Sequence, residues 1–360
     1  MPEDRLQQGK ASCHLWLFTR RVFHLDSLRR GVTQHGRAKH LASARTNLCG
    51  GLPISHLTVR SHLPACALLA LVCALFTLDA AAECPAAEEG THAIESAVIR
   101  VATLNIAHGR KDGRNQMLLR EQTIRNNLVE VAGLMDRSEA DVIALQEVDA
   151  ESKWSGKFNH LDFLSDNSAY ACTHHGLHAS GWLYDFGTAL LARRPFRDSF
   201  THSFEPSWPT TTKGFSFVAL DWNPGGALPE PVLVNFVSVH LDFSRRSVRR
   251  SQIDEMVVEL SQIAGPMVMM GDFNTDWQTT DSSLKYLAEQ MNLSVFQPHA
   301  DGLSTYGDKG ARLDWILISE ELEFSRYSVF PDVVSDHYAV AAEIVLKEKS
   351  TGSTDRMTNQ

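Results

Sequence analysis

From Ala97 onward the apolar positions recur in two periods. The stretches "AVIRVATLNI", "DVIALQE", "VLVNFVSVH", "MVMM", "RLDWILIS" and "SDHYAVAAEIVL" read as short buried strands. Helical spacings stand between them. Ile124, Leu128, Val131 and Met135 share one face, and so do Ile253, Met256, Val257, Leu260 and Ile263 in "RRSVRRSQIDEMVVELSQI". Strands and helices therefore alternate over residues 97–346 in an α/β (α+β) pattern. Residues 152–231 show neither period clearly, and their Trp, His, Gly and Pro predict loops that build a substrate rim. Within them "THHGLH" (His174, His175, His178) reads as a solvated loop rather than a metal site. The tail 347–360 is polar and expected to be loose.

The strands share one peculiarity: polar groups stand at their ends. Asn105, Glu147, His240, Asp272 with Asn274, Asp314, and the pair Asp336–His337 all flank apolar runs. Any one of them alone reads as a turn or a helix cap. Together they read differently, because buried strands end in acids only where these meet a cation, each other or a ligand. Four or five carboxylates on one rim repel strongly. A hard divalent cation removes that repulsion, and oxygen donors without cysteine select Mg²⁺, Mn²⁺ or Ca²⁺. In "MVMMGDFNTDW", Asp272 and Asn274 are one residue apart, so in extended chain both side chains point the same way. Gly271 before them allows close backbone approach.

Composition narrows the class. The chain has 360 residues, 43% hydrophobic and 21% charged, which suits a packed globule and excludes collagenous or low-complexity architectures. Residues 1–60 form a basic leader. The apolar run Leu63–Leu78 that follows is short for a membrane span, and it ends in Ala80-Ala81-Ala82. Residues 61–82 are expected to be a secretory signal cleaved after Ala82, or an anchor if uncut. Signals seldom begin sixty residues in, so either the start lies later, near Leu52, or the leader belongs to an anchor. Glu83 before Cys84 argues against a lipoprotein signal. Residues 83–96 read as a linker. Without residues 1–82 the chain keeps 24 basic and 39 acidic residues, a formal charge of −15 against −9 for the whole. Such a globule has no general attraction for nucleic acid, although a local basic groove remains open. Cys84 and Cys172 alone survive cleavage, and one disulfide between them is open.

"TLNIAHG", "LQEVD", "SVHLDF", "GDFNTD", "RLDWIL" and "SDHYAV" occur in this order. They resemble the motifs of the endonuclease/exonuclease/phosphatase superfamily, the deoxyribonuclease I-like metal-dependent phosphoesterases. The resemblance covers about residues 97–346 and is specific for the superfamily but weak on substrate. It implies a four-layer sandwich: two packed, mainly antiparallel β-sheets flanked by helices. It also implies roles. Glu147 would be the principal Mg²⁺ ligand, supported by Asn105, and Asp336 a possible second one. Asp272 would orient and deprotonate the attacking water, and Asn274 would hold the water and phosphate oxygens. His337 would bind the phosphate, kept protonated by Asp314. His240 matches the histidine of the deoxyribonuclease I and sphingomyelinase branches, which disfavours the repair-endonuclease branch.

Other residues are expected more weakly. His108, Trp154, His160 and Arg249 form a candidate substrate-binding set, with core packing as the alternative for Trp154, Phe158 and His160. His108 and Asp149 could support the motif residues from behind. Arg249 and Gln252 resemble a structural R-x-x-Q of the family. In "RRSVRR", Arg245, Arg246, Arg249 and Arg250 suit either phosphate contact or a solvated helix face. The expected protein is an exported, secreted or periplasmic Mg²⁺-dependent phosphoesterase. It would act on nucleic acid, a phospholipid headgroup or a small phosphoester, as a monomer without an obligate protein partner. The rival is a catalytically silent binding protein on the same scaffold, which would be expected to lack a motif polar group; here every one is present.

Overall fold

The structure is a computed structural model that describes Cys84 and residues 92–225, 230–307 and 310–347. The leader, the apolar segment 61–82 and the tail beyond Lys347 lie outside the described residues. Among the described residues no helix is long and apolar enough to cross a membrane.

Two mixed sheets carry the fold. At the centre of the first, β2 (Ile99–Asn105) and β3 (Val142–Asp149) run parallel. Antiparallel β5 (Asp185–Ala192) and β4 (Cys172–Ser180) continue it on one side, and β13 (Val340–Leu346) and β12 (Leu322–Val329) on the other. The second sheet is also centred on a parallel pair, β8 (Val232–His240) and β9 (Met267–Asp272). Antiparallel β7 (Gly214–Asn223) flanks β8 and bears β6 (Asp198–Ser203) and the short β1 (Ile94–Glu95) along its other side. Beyond β9 lie β11 (Asp314–Ile318) and β10 (Ser294–Val295). The antiparallel pairs predominate, as expected.

The sheets face each other and helices cover both outer faces. Helices α1 (Glu121–Arg137) and α2 (His160–Asp166) pack Ile124, Leu128, Val131, Leu161 and Leu164 on Ala102, Leu104, Ile143 and Leu145 of the first sheet. Helices α3 (Arg246–Leu260) and α4 (Ser283–Met291) pack Ile253, Met256, Leu284 and Leu287 on Val237, Val239, Met267 and Met269 of the second. Val257 and Ile263, expected inside, are only partly buried there. Between the sheets Val101, Val142 and Ala144 meet Phe236, Val268, Met270 and Ile316. This explains why "MVMM" is apolar throughout: Met267 and Met269 face helices while Val268 and Met270 face the other sheet. Each such side chain contributes about 1.5–3 kcal/mol on burial.

Toward one end the inner layer turns polar. Gln146 Nε2 donates to Thr103 Oγ1 (3.2 Å) and across the sheets to Ser238 Oγ (3.1 Å), and Ser238 Oγ donates to Leu145 O (3.0 Å). Thr188 Oγ1 and Ser216 Oγ lie 2.8 Å apart in the same layer. Buried polar groups so paired fix the register of one sheet against the other.

Residues 152–231 are corrected by this layer. They hold four strands, β4 to β7, and "THHGLH" is strand rather than loop. His174 and His178 are buried; His178 bonds Thr188 Oγ1 (2.8 Å) and Ser203 Oγ (3.1 Å), and His175 Nε2 lies 3.1 Å from Val148 O. Polar residues that face the interior erase the alternation by which a strand is recognised. Cys84 and Cys172 form a disulfide that ties the linker to the first residue of β4. Closing its 88-residue loop disfavours the unfolded chain by about 4.6 kcal/mol.

Candidate active site

The inward-facing column of each central strand runs from apolar to polar and ends at one edge of the sandwich. On β2 it reads Ile99, Val101, Thr103, Asn105; on β8 Val234, Phe236, Ser238, His240; on β9 Val268, Met270, Asp272. The registers align the ends. Asp272 stands opposite His240 on β8 and opposite Asp314 on β11. Asn105 reaches from the other sheet, and its Nδ2 donates to Asp272 Oδ2 (3.0 Å) while its Oδ1 accepts from Ala107 N (3.0 Å). His337, just before β13, has Nδ1 2.8 Å from Asp314 Oδ2 and Nε2 3.9 Å from Asp272 Oδ2. His240 Nε2 lies 3.5 Å from Asp272 Oδ2 and 4.0 Å from Glu147 Oε1. Residues as far apart as 105 and 337 thus line one cleft of about 400 Å³, together with Arg110, Phe243, Tyr306 and Asp336.

Local backbone detail aims two of these groups. Glu147 does not end its strand; it sits at a bulge between Gln146 and Val148 with φ 56°, which turns its carboxylate into the cleft. Asn274 also departs from extended geometry, with φ 51°. The extended i, i+2 argument therefore fails for Asp272 and Asn274. A turn joins them instead: Asn274 N donates to Asp272 Oδ1 (2.9 Å) and Asn274 Nδ2 to Leu241 O (3.0 Å). Gly271 has φ 147°, and a Cβ there would lie 2.0 Å from Val239 O, so no larger residue fits.

Charge is distributed unequally over the cluster. Burial pushes the Asp272 carboxyl up to about 7, with Asp314 adding and His337 opposing. Burial disfavours the His337 cation, but the carboxylates of Asp314 and Asp272 outweigh it and push the imidazole up to about 10. Burial also favours neutral Glu147, yet the positive charges of His108 and Lys213 hold its carboxyl well below the usual range. His240 is held well below its ordinary value by burial and by Lys213. Lys213 Nζ is 3.4 Å from His240 Nδ1. An ammonium has no lone pair, so Lys213 donates to Nδ1, and the neutral ring carries its proton on Nε2, facing the cleft.

A profile of the Endonuclease/Exonuclease/phosphatase family matches residues 102–337. The chain belongs to this family. Its members are phosphoesterase hydrolases, and this protein is accordingly a metal-dependent hydrolase of phosphoric ester bonds. Solved structures share the fold. An endonuclease/exonuclease/phosphatase from Beutenbergia cavernae DSM 12333 is 17% identical, covering 69% of this chain and 72% of its own, with a TM-score of 0.56. A family protein from Leptotrichia buccalis C-1013-b is 21% identical over 68% and 99%, with a TM-score of 0.53. A mannosyl-6-phosphatase from Bacteroides thetaiotaomicron VPI-5482 is 18% identical over 69% and 100%, with a TM-score of 0.52. No curated protein matches the chain.

The family is generally dependent on a divalent metal, and the donor set here fits one. The cleft offers carboxylate and amide oxygens and no cysteine. Asp272, Asp314 and His337 also bring one ligand atom each within 4.8 Å of one another. His337 Nδ1 is engaged by Asp314, however, so this trio suits proton handling, and Glu147 presents the ionised oxygens for a cation.

The cleft does not gather every expected residue. None of the four substrate-binding candidates lines it. His108 stands behind Glu147, with Nε2 3.3 Å from Glu147 Oε2 and Nδ1 2.7 Å from Asp149 Oδ2. Trp154 Nε1 donates to Asp149 Oδ1 (2.6 Å). Both support the acid from the rear, as does buried Asp149. His160 is fully buried, with Nε2 3.0 Å from Ser155 O. Arg249 Nη1 donates to Asp242 O and Gln252 Oε1 accepts from Asp242 N, so this R-x-x-Q props the loop after His240. Phe158 is core packing, covered by the Arg125 guanidinium at 3.8 Å. Asp336 lines the cleft, but its Oδ2 accepts from Arg110 Nη2 at 2.6 Å. Three residues were not anticipated. Arg110 follows "TLNIAHG" directly and could have been suspected; Tyr306, whose ring lies 4.7 Å from that of His337, and buried Lys213 have no local signal.

Proposed function

We propose that this protein is an exported, Mg²⁺-dependent phosphodiesterase that hydrolyses its ester by direct attack of water on phosphorus. One observation supports this most: Asp272 is flanked by His240 on one side and by the Asp314–His337 pair on the other, with Asn105 and Glu147 across the sheets. Glu147, backed by Asn105, would hold the cation, which when bound supplies positive charge to the phosphate oxygens and lowers the acidity barrier of water. Asp272 takes the water's proton; two N–H donors on its carboxylate fix its aim. Asn274, turned beside it, steadies the water. Protonated His337 and the Nε2–H of His240 donate to the non-bridging oxygens as negative charge grows there. The new P–O bond forms as the opposite one breaks, and the leaving oxygen departs with the bonding pair and takes a proton from solvent.

Export is supported by the apolar run ending in Ala80-Ala81-Ala82 and by the disulfide, which persists in oxidising compartments. The reading takes the protein as a monomer in the periplasm or medium, or membrane-anchored if the leader is uncut. The test purifies the full chain and assays bis(p-nitrophenyl) phosphate with Mg²⁺, Mn²⁺ or Ca²⁺ and after EDTA, with p-nitrophenyl phosphate as the monoester arm. N-terminal sequencing reads cleavage after Ala82, and light scattering reads the monomer. Turnover that survives EDTA, or is confined to the monoester, would overturn the reading.

A further inference from the structure

The loop after His240 leads from the cleft into a second concavity. Phe243 lines the cleft and Arg245, two residues on, lines a groove of about 1050 Å³ between α3 and α4. Their Cα atoms are at most about 7 Å apart. Four cations border the groove, Arg245, Arg246, Arg250 and Lys285, against two acids, Asp281 and Glu289. This is a local positive excess in a chain of net charge −9.

The four cations are not equivalent. Arg245 is engaged by the carbonyls of Ser207 and Trp208 and by Asp242, and Arg246 pairs with Asp281 at 3.0 Å. Among the described residues, Arg250 and Lys285 have no carboxylate within 4 Å, and Glu289 pairs with neither. The Arg250 guanidinium lies flat on the Tyr286 ring, 3.6 Å from its centroid, and Tyr286 is itself anchored through its hydroxyl to Asp254 (2.6 Å). A guanidinium pinned by its face keeps its in-plane N–H fork available and loses little further freedom on binding. The groove also meets the N-terminus of nine-residue α4. Ser282, which lines the groove and is 3% exposed, and Ser283, fully buried, both have side-chain hydroxyls without a hydrogen-bond partner. Unsatisfied hydroxyls at a helix N-terminus suit an anion.

We propose that this groove is a second phosphate-binding site, reached from the reaction cleft along the loop after His240, which holds a phosphate of an extended substrate beyond the scissile one. Arg250 supplies the fork, Lys285 a point charge and the start of α4 its dipole. The consequence for substrate rests on the phosphodiester reading above; the anion site itself does not.

Two measurements on the full chain separate them. In EDTA, the Arg250 Nε–Hε and Ser283 amide signals are followed by NMR while inorganic phosphate is added, with chloride at matched ionic strength as control. Both signals should move together and saturate at millimolar phosphate, and R250Q/K285Q should abolish the response at Ser283. An equal response to chloride means an adventitious ion only, and no response overturns the site. The second measurement is inhibition of bis(p-nitrophenyl) phosphate turnover by thymidylate oligomers of one to six nucleotides. Affinity should step up about tenfold once a second phosphate reaches the groove. The step should vanish in R250Q/K285Q while kcat/KM for the small substrate stays unchanged. A gradual rise with length, equal in parent and variant, overturns the proposal. Should the double variant lose its small-substrate turnover, R250K and K285Q singly decide, because R250K keeps the charge and removes the fork. A protein without turnover refutes the phosphodiester reading and leaves the NMR result to decide the site.

Discussion

The Asp314–His337 pair offers the sharpest test of the site. Asp314 is fully buried, and His337 is 6% exposed, so water screens the pair little. His337 is pushed from 6.5 up to about 10. That difference of about 3.5 units amounts to about 5 kcal/mol of preference for the imidazolium. Asp314 is the largest of the raising charges and is in hydrogen-bond contact, so removing its charge should lower His337 more than any other single change. D314N keeps the shape and an acceptor for Nδ1–H but removes the charge. His337 should then lose its proton at a clearly lower pH than in the parent. In EDTA, the His337 ring signals of the parent should stay those of imidazolium past pH 9, whereas those of D314N should change at lower pH. In turnover of bis(p-nitrophenyl) phosphate with metal, D314N should gain an alkaline limb, with kcat/KM falling as the pH rises through a range where the parent's does not fall. Parental pH profiles in D314N, or a parent whose His337 titrates near its ordinary value, would refute the account of Asp314 as the group that keeps His337 charged.

Three further outcomes are expected. D272N should lower kcat by about a thousandfold or more because it removes the proton acceptor; near-parental turnover would show that another group takes the proton. K213M should lower kcat/KM about tenfold or more, with K213R retaining part of it, and the ¹⁵N shifts of His240 should show loss of the single Nε2–H tautomer; an unchanged His240 spectrum contradicts the role given to Lys213. Stability of the EDTA-treated protein should peak near pH 6.5, as read by thermal melting. Below that, His160, His175, His178 and His240, all lowered by burial, must take up protons on unfolding, so stability falls as the pH drops. Above it, the raised His337 holds a proton that the unfolded chain does not, and its contribution is lost as the pH climbs toward about 10, with Asp272 acting the same way up to about 7. A melting temperature that climbs steadily from pH 6.5 to 9 would contradict both assignments.

Much of this was legible in the sequence because the central strands are buried on both faces. "MVMMGD" and "VLVNFVSVH" announce themselves by continuous apolarity that stops at a polar residue, and the structure places those residues at one edge. The strands of residues 172–223 did not announce themselves. His174 and His178 on β4 and Ser216 on β7 face a polar interior, where hydrogen bonds replace apolar contact. Periodicity detects greasy faces and is blind to satisfied polar ones. Lys213 is hidden for a related reason. Nothing in "TTTKGFSF" distinguishes a buried ammonium from a surface one until folding brings His240 beside it.

The same polar layer explains why the site sits where it does. A sandwich interior that is apolar throughout has no place for Asp272 or Asn105, since an unpaired buried acid costs several kcal/mol. Here Val268, Met270 and Asp272 share one face of β9, and Ile99, Val101, Thr103 and Asn105 share one face of β2, so polarity rises along each column. Thr103, Gln146 and Ser238 form the step between hydrocarbon and charge, each satisfied by its neighbours. The polar groups of the cleft thus rest on a hydrogen-bonded floor rather than on oil. That floor holds Asn105 against Asp272 across two sheets, and this contact between residues 167 positions apart is what makes two separate strand ends one site.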